Sequence, residues 1–369
     1  MLISKIYIDN QVIHLPVSDA ITSRISAPVE IVNDTAEVYK AISEAKDPVQ
    51  RGKQVLYLTR NKGAFLKDCP GTRFYTCCGY KILHIGTFCN MDCSYCILQA
   101  YFHPPVLQFF VNYNDLFREL DKIFTGNRNC RVGTGEFTDS LLWEPWTSLS
   151  KLLIPKFAGQ NRAVLELKTK TSTVNGLKGL RHNRKTVVSW SLNTDRVIDQ
   201  EERGTASLEE RLKAAAKCEA WDYPVGFHFD PLILYQGCEE DYRKVVEQIF
   251  RYVSADNIIW ISLGSLRFMP SLKPIIQTRF PDSKIVYGEL IPGLDGKMRY
   301  FKPLRIALYR KMVSWIKALA PEALVYLCME DKEVWEKSLG YIPQERGGLS
   351  GLLDESAVKH CGLNPAGIL

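Results

Sequence analysis

The sequence predicts an α/β fold, a complete or partial (β/α) barrel, and three observations carry that expectation. From about residue 80 onward, short β-branched or aliphatic runs recur mostly about 25 to 40 residues apart, with amphipathic stretches between them. Nearly every run ends in polar residues, as in barrels whose chemistry sits at the carboxyl ends of the strands. No Gly-x-Gly-x-x-Gly follows the first run, which weighs against a dinucleotide-binding open sheet.

Taken in order, the candidate strands are Lys81–Ile85, Arg131–Gly133, Ala163–Lys168, Thr186–Leu192, Val225–Asp230, Ile258–Leu263 and Lys284–Glu289. Amphipathic helices are expected at Tyr113–Phe124, Leu208–Glu219 and Tyr242–Val253. The first strand runs on to Cys89, the second to Gly133-Thr-Gly-Glu136 and the third to Lys168-Thr-Lys170. The fourth delivers Ser191 and Asn193, the fifth His228 and Asp230, the sixth Ser265 and Arg267, the seventh Glu289. Residues 1–80 read as an N-terminal extension packed on the barrel, with a hairpin-like start and a helix near Ala36–Ala45. Residues 81–330 hold the barrel, closing with a helix over 304–320 and a strand at Leu324–Met329. Residues 331–369 form a C-terminal tail, Gly-rich from Glu345.

A chain of 369 residues allows one large α/β domain or two ordinary ones, at roughly 100–200 residues per domain. With 46% hydrophobic and 24% charged residues it is neither disordered nor fibrous. No apolar run is long enough for a membrane span, and the first fifteen residues carry Asp9 and Gln11 with no cleavage-like site, so no secretory signal is expected. Eleven cysteines, an odd number with three bunched, fit metal-bound or free thiols in a reducing cytoplasm. The net charge of +6 is uneven. Nine basic residues between Lys151 and Lys185 face one acid, Glu166, so a phosphate-rich partner is permitted, as is a solvated helix face.

The sharpest local signal is Cys89-Asn-Met-Asp-Cys93-Ser-Tyr-Cys96. Three soft thiolates at this spacing can hold three irons of a four-iron four-sulfur cluster and leave the fourth open. A four-ligand zinc site would need a further ligand, and no second Cys-x2-Cys hook is present. This motif resembles that of the radical S-adenosylmethionine (SAM) superfamily, which narrows the fold to a partial (β/α)6 TIM-type barrel. The resemblance implies a 4Fe-4S cluster on Cys89, Cys93 and Cys96 that reductively cleaves SAM to a 5′-deoxyadenosyl radical. Gly135 and Glu136 resemble the loop that holds the SAM amino group in this superfamily.

From about residue 80 to 327 the chain is similar to the spore photoproduct lyase family. The matching stretches are Thr169-Lys170, Val187–Asn193, Gly204-Thr-Ala-Ser207 with Arg211, Gly226-Phe227 with Pro231, Arg267-Phe268 and Arg279-Phe280-Pro281. The resemblance implies SAM contacts from Lys170 and Ser191, and a role for Tyr95 in returning hydrogen to the product. It also implies repair of a thymine-derived DNA lesion, with a flavodoxin or ferredoxin as electron donor. Asn193 and Asp230, at their strand ends, join the expected cofactor-binding set. An alternative keeps the radical chemistry and takes RNA, a nucleoside or another metabolite.

Two departures stand out. The family's second tyrosine, directly after the third cluster cysteine, is Ile97 here. The family's hydrogen-donating cysteine lies in the loop after the second strand, and residues 135–140 contain none. Cys69, Cys77 and Cys78, just upstream of the first strand, are candidates for a second metal site, a redox pair, a hydrogen donor or buried thiols. The stretch Asp295 to Phe301 is a candidate phosphate-holding and base-stacking loop.

Overall fold

A computed structural model describes residues 2–71 and 74–365. Its centre is a curled eight-stranded sheet in which seven parallel strands follow one another in chain order. These are β1 (Lys81–Leu83), β2 (Cys130–Gly133), β3 (Ala163–Thr169), β4 (Thr186–Ser191), β5 (Val225–Leu232), β6 (Ile258–Ser265) and β7 (Val325–Leu327). A short antiparallel strand, Leu66–Asp68, borders β1, and β7 is the opposite edge, so the barrel is partial. Strands covered on both faces read as continuous apolar runs rather than alternations. β4 and β6 are buried along their whole length.

Helices pack outside and start where the sequence signals a start. Ser207 accepts from the backbone of Glu210, whose side chain returns the bond, and this capping box opens the helix Leu208–Ala220. Acidic Glu239, Glu240 and Asp241 fill the first turn of Cys238–Tyr252, where they complement the helix dipole. The helix Lys302–Leu319 begins with Pro303, whose missing N–H costs nothing in a first turn. Among the described residues no helix is long and apolar enough to cross a membrane.

Inside the sheet a polar layer is fully paired. One oxygen of Glu166 accepts from Ser189 Oγ (2.6 Å), His228 Nε2 (2.9 Å) and Trp260 Nε1 (3.0 Å), while His228 Nδ1 meets Ser262 Oγ at 2.7 Å. Burial alone would raise the Glu166 carboxyl, but the His228 ring and Lys168 overcome it and hold it at about 2. His228 is therefore a satisfied core residue.

Two expectations are corrected. Residues 284–289 form no strand; β7 takes that place beside β6. Ile285 and Val286 instead fill a satellite core with Leu266, Phe268, Leu272 and Phe280, which buries them without a ladder. The N-terminus is no hairpin: Lys5–Asp9 pairs in parallel with both Val29–Val32 and Val55–Thr59. Parallel neighbours need a crossover, and the helix Pro16–Thr22 supplies one. Within the Gly-rich tail a helix forms that was not expected: Gly348–Cys361 packs Leu349, Leu353, Ala357 and Cys361 into the main core.

Candidate active site

The loop carrying Cys89, Cys93 and Cys96 follows β1 and is clamped from several directions. Lys53 donates to the carbonyls of Cys89 (3.1 Å) and Met91, and its ammonium lies 3.4 Å from Asp92. Arg279 donates to Asp92 (3.0 Å) and to Gln99 (2.6 Å). Glu201 accepts from Ser94 and Ser283, and Glu202-Arg203 pairs with Asp92-Cys93 as a two-residue ribbon. These partners come from the N-terminal unit and from the regions after β4 and β6, so the loop is held by residues remote in sequence.

Cys89 and Cys93 are buried and Cys96 is half-buried. Burial raises the Cys89 thiol and pushes that of Cys93 up to about 12, although Lys170 works in the opposite direction on Cys93. Such thiols become thiolates when a cationic centre binds them. The Met91 N–H points at Cys89 Sγ (3.4 Å), the kind of contact that tunes cluster sulfur. Among the described residues, no three His, Cys, Asp or Glu side chains gather closely enough for a single metal ion. Three soft donors on a clamped loop fit a multi-iron cluster.

Next to the loop lies a network that the sequence pattern only half revealed. Lys170 Nζ is 2.7 Å from both Tyr95 Oη and Glu202 Oε1, and Tyr95 also donates to Glu202. Arg211 Nη2 reaches the other oxygen of Glu202 at 2.7 Å and Arg211 Nη1 donates to the Ser191 carbonyl at 2.8 Å. Burial would raise the Glu202 carboxyl, yet Lys170 and Arg211 hold it at about 2. Tyr95, Lys170 and Ser191 are thus brought together. Glu202 binds Tyr95 and Lys170 directly and reaches the Ser191 carbonyl through Arg211, and only its proximity to the matching Gly204–Ser207 stretch could have flagged it.

Asp139, also unflagged, welds the loop after β2 to the end of β3. It accepts from Lys170 N (2.8 Å), Thr169 Oγ1 (2.8 Å) and the Leu141 and Leu142 amides. A side chain at Gly135 would meet the Lys168 carbonyl at 3.0 Å, so glycine permits this close approach. Glu136 faces Lys168 across 3.5 Å. Burial works against the Lys168 ammonium, and Glu136, Glu166 and Asp230 more than reverse it.

Asn193 and Asp230 have partners of their own. Asn193 accepts from Tyr242 Oη (2.8 Å) and donates to the Pro231 carbonyl (2.9 Å). Asp230 forms a two-pronged pair with Arg267 at 2.9 Å on each arm. Gly264 leaves room for it, since a Cβ there would lie 2.8 Å from both Arg267 and Asp230.

The basic run does not form one face. Lys168 and Lys170 point into the mouth, Lys156 pairs with Asp121 on the outside, and Arg184 and Lys185 precede β4 at the opposite end of the sheet. In the Asp295 to Phe301 stretch, Arg299 pairs with Asp295 at 2.7 Å and lies 4.2 Å over the Tyr75 ring. Tyr300 is buried, its hydroxyl accepting from Leu234 N, whereas Leu294 and Phe301 are exposed.

Comparison with known proteins bears on the family and the fold. The spore photoproduct lyase family model matches residues 75–301. Spore photoproduct lyase of Bacillus subtilis is 28% identical over 251 residues, covering 65% of this chain and 73% of its own. That of Clostridium acetobutylicum is 26% identical over 263 residues, covering 70% and 74%. A solved variant of spore photoproduct lyase with dinucleoside spore photoproduct superposes with a TM-score of 0.79 at 21% identity, over 89% of this chain and 99% of that one. Another, with bound AdoMet and the same dinucleoside, gives 0.76 at 20% identity, with the same coverage.

Proposed function

This chain belongs to the spore photoproduct lyase family of radical SAM enzymes, and from that premise we propose that it opens a thymine-derived crosslink in DNA. The observation that carries the reading is the clamped three-cysteine loop at the carboxyl end of the sheet, beside the ends of β2, β3 and β4. When bound, a 4Fe-4S cluster on Cys89, Cys93 and Cys96 together with SAM supplies a 5′-deoxyadenosyl radical that takes a hydrogen from an unactivated carbon.

The chain's own residues then bind, orient and shield. Lys170 holds an ammonium beside Cys93 and Tyr95, where a carboxylate can replace part of its contact with Glu202. Ser191 presents its hydroxyl at the end of β4, and Glu136 offers an acceptor for an ammonium at the end of β2. Asn193 and Asp230, whose polar atoms are committed to Tyr242, Pro231 and Arg267, brace this rim from behind. Tyr95 keeps its proton: burial and the Glu202 carboxylate both push its phenol well above the usual range. A reducing cytoplasm suits the eleven free thiols, and a flavodoxin- or ferredoxin-class protein is the fitting one-electron donor.

The test is anaerobic reconstitution with iron and sulfide, followed by SAM, dithionite and DNA carrying spore photoproduct. Restored thymine and 5′-deoxyadenosine are quantified together by mass spectrometry. Parallel appearance of both is the expected result. Formation of 5′-deoxyadenosine with the lesion intact would retire the DNA substrate and favour RNA, a nucleoside or another metabolite.

A further inference from the structure

A lyase that removes one hydrogen and fragments a crosslink without net oxidation must return a hydrogen atom to the product. The loop after β2 has no thiol to give one. Resting on the lyase reading, we propose that Cys328, at the carboxyl end of β7, is the hydrogen-atom donor.

The other cysteines are placed for other work. Cys89, Cys93 and Cys96 are the ligand set. Cys130 opens β2 at the far end of the sheet, and Cys361 lies against Lys185 at that same end. Cys218 and Cys238 are buried in outer helices. Cys77 accepts a hydrogen bond from the Cys78 thiol and is drawn down to about 6, toward thiolate, and a thiolate has no hydrogen atom to give. Cys78 spends its S–H on the Cys77 sulfur, which leaves Cys69 and Cys328.

Cys328 directly follows the last barrel strand, where barrel enzymes place reacting groups. Its amide donates to the Leu263 carbonyl at 2.8 Å, which fixes it to the end of β6. Its sulfur lies 3.4 Å from Arg267 Nη2, and the same guanidinium grips Asp230. It is only half-buried, so substrate can reach it. Next along the chain, the Met329 carbonyl accepts from Arg299, tying Cys328 to the hairpin whose tip exposes Leu294. Burial, aided by Asp230 and Glu136, pushes the thiol up to about 12, so its S–H bond is intact at neutral pH. Cys69 shares this rim but rides on the connection after the edge strand rather than on a barrel strand.

In the step, the Cys328 S–H bond breaks homolytically and a C–H bond forms at the thymine-derived carbon radical, with no charge moved. The sulfur, left one electron short, returns to thiol by taking one electron from the flavodoxin- or ferredoxin-class reductant and one proton from water.

A thiol exchanges its hydrogen with solvent, so turnover in D2O reads the donor. The reconstituted wild-type protein should place one deuterium in each repaired thymine. Cys328→Ala and Cys328→Ser should still form 5′-deoxyadenosine while deuterated thymine falls by about tenfold or more, and Cys69→Ala should keep the label. Calorimetry on the cluster-free protein should show equal affinity for dinucleoside spore photoproduct in wild type and Cys328→Ser. Wild-type labelling in Cys328→Ala, or its loss in Cys69→Ala alone, overturns the assignment. Lesion binding lost with Cys328→Ser would make the residue a positioning group and also overturn it. A wild-type protein that makes 5′-deoxyadenosine but no thymine overturns the lyase reading, and this assignment with it.

Discussion

The two sides of the barrel mouth are built on opposite plans. Around the cysteine loop, charges meet charges: Lys53 and Arg279 on Asp92, Lys170 and Arg211 on Glu202. Across the mouth, Cys69, Cys78 and Cys328 gather with Glu136 and the Asp230–Arg267 pair, and Cys328 remains half-buried. On the function proposed above, the first side holds a charged cofactor and the second offers protonated thiols to a substrate. Breaking the first side should therefore remove all chemistry, whereas altering the second should redirect it.

The largest effect should come from the ligand set. Cys93→Ala is expected to abolish both the iron–sulfur absorbance and 5′-deoxyadenosine formation, whatever DNA is added. A variant that still cleaves SAM would mean that the clamped loop is not the cofactor side.

Next is the buried hub of that side. Glu202→Gln leaves Arg211 and Lys170 without their counter-charge in a closed site, and breaking such a pair costs about 3–5 kcal/mol. Thermal unfolding should fall by many degrees. The pH dependence adds a check with a definite sign. The Glu202 carboxyl is depressed to about 2 from an ordinary 4.5, and Glu166 likewise. Their contribution is fully present above pH 4.5 and is lost as pH falls toward 2. Wild-type stability should thus drop through that window, and the drop should be shallower in Glu202→Gln. An unchanged acid limb would show that Glu202 is not held ionised by its partners.

The contrast also explains what could be read from the chain. The cysteine loop stands out in the sequence because its three cysteines sit within eight residues, and Lys170 and Ser191 because they lie just after β3 and at the end of β4 within stretches that match the family. Glu202, Asp139 and Cys328 do not, since nothing local marks them. Asp139 matters because its carboxylate faces the Lys170 amide, and Cys328 because β7 lands beside β6. The last strand expected at Leu324–Met329 is present as β7, but the strand expected at 284–289 stood between it and β6; without that strand β7 lies directly beside β6 and carries Cys328 to Arg267.

A smaller effect should come from the thiol side. Gly264→Ala places a methyl 2.8 Å from Asp230 and Arg267, and such overpacking typically costs about 1–3 kcal/mol. With the clamp on the loop untouched, cluster absorbance should stay near wild type while lesion repair falls. Loss of the cluster in this variant would mean that the two sides are mechanically one.

The smallest effect is expected at Ile97, and there it is informative. The side chain is 41% exposed at the start of the short helix Leu98–Tyr101, so exchanging it disturbs little packing. Ile97→Tyr should shift stability by no more than about 0.5 kcal/mol. It restores the tyrosine that the family keeps beside the third cysteine, on the cofactor side of the mouth. If hydrogen return depends on the thiol side alone, repair rate and deuterium content of the product should both stay at the wild-type level. A clear acceleration of repair, read in the same mass-spectrometric assay, would show that the cofactor side also carries hydrogen. The division between a holding side and a donating side would then fail at the residue where this chain departs from its relatives.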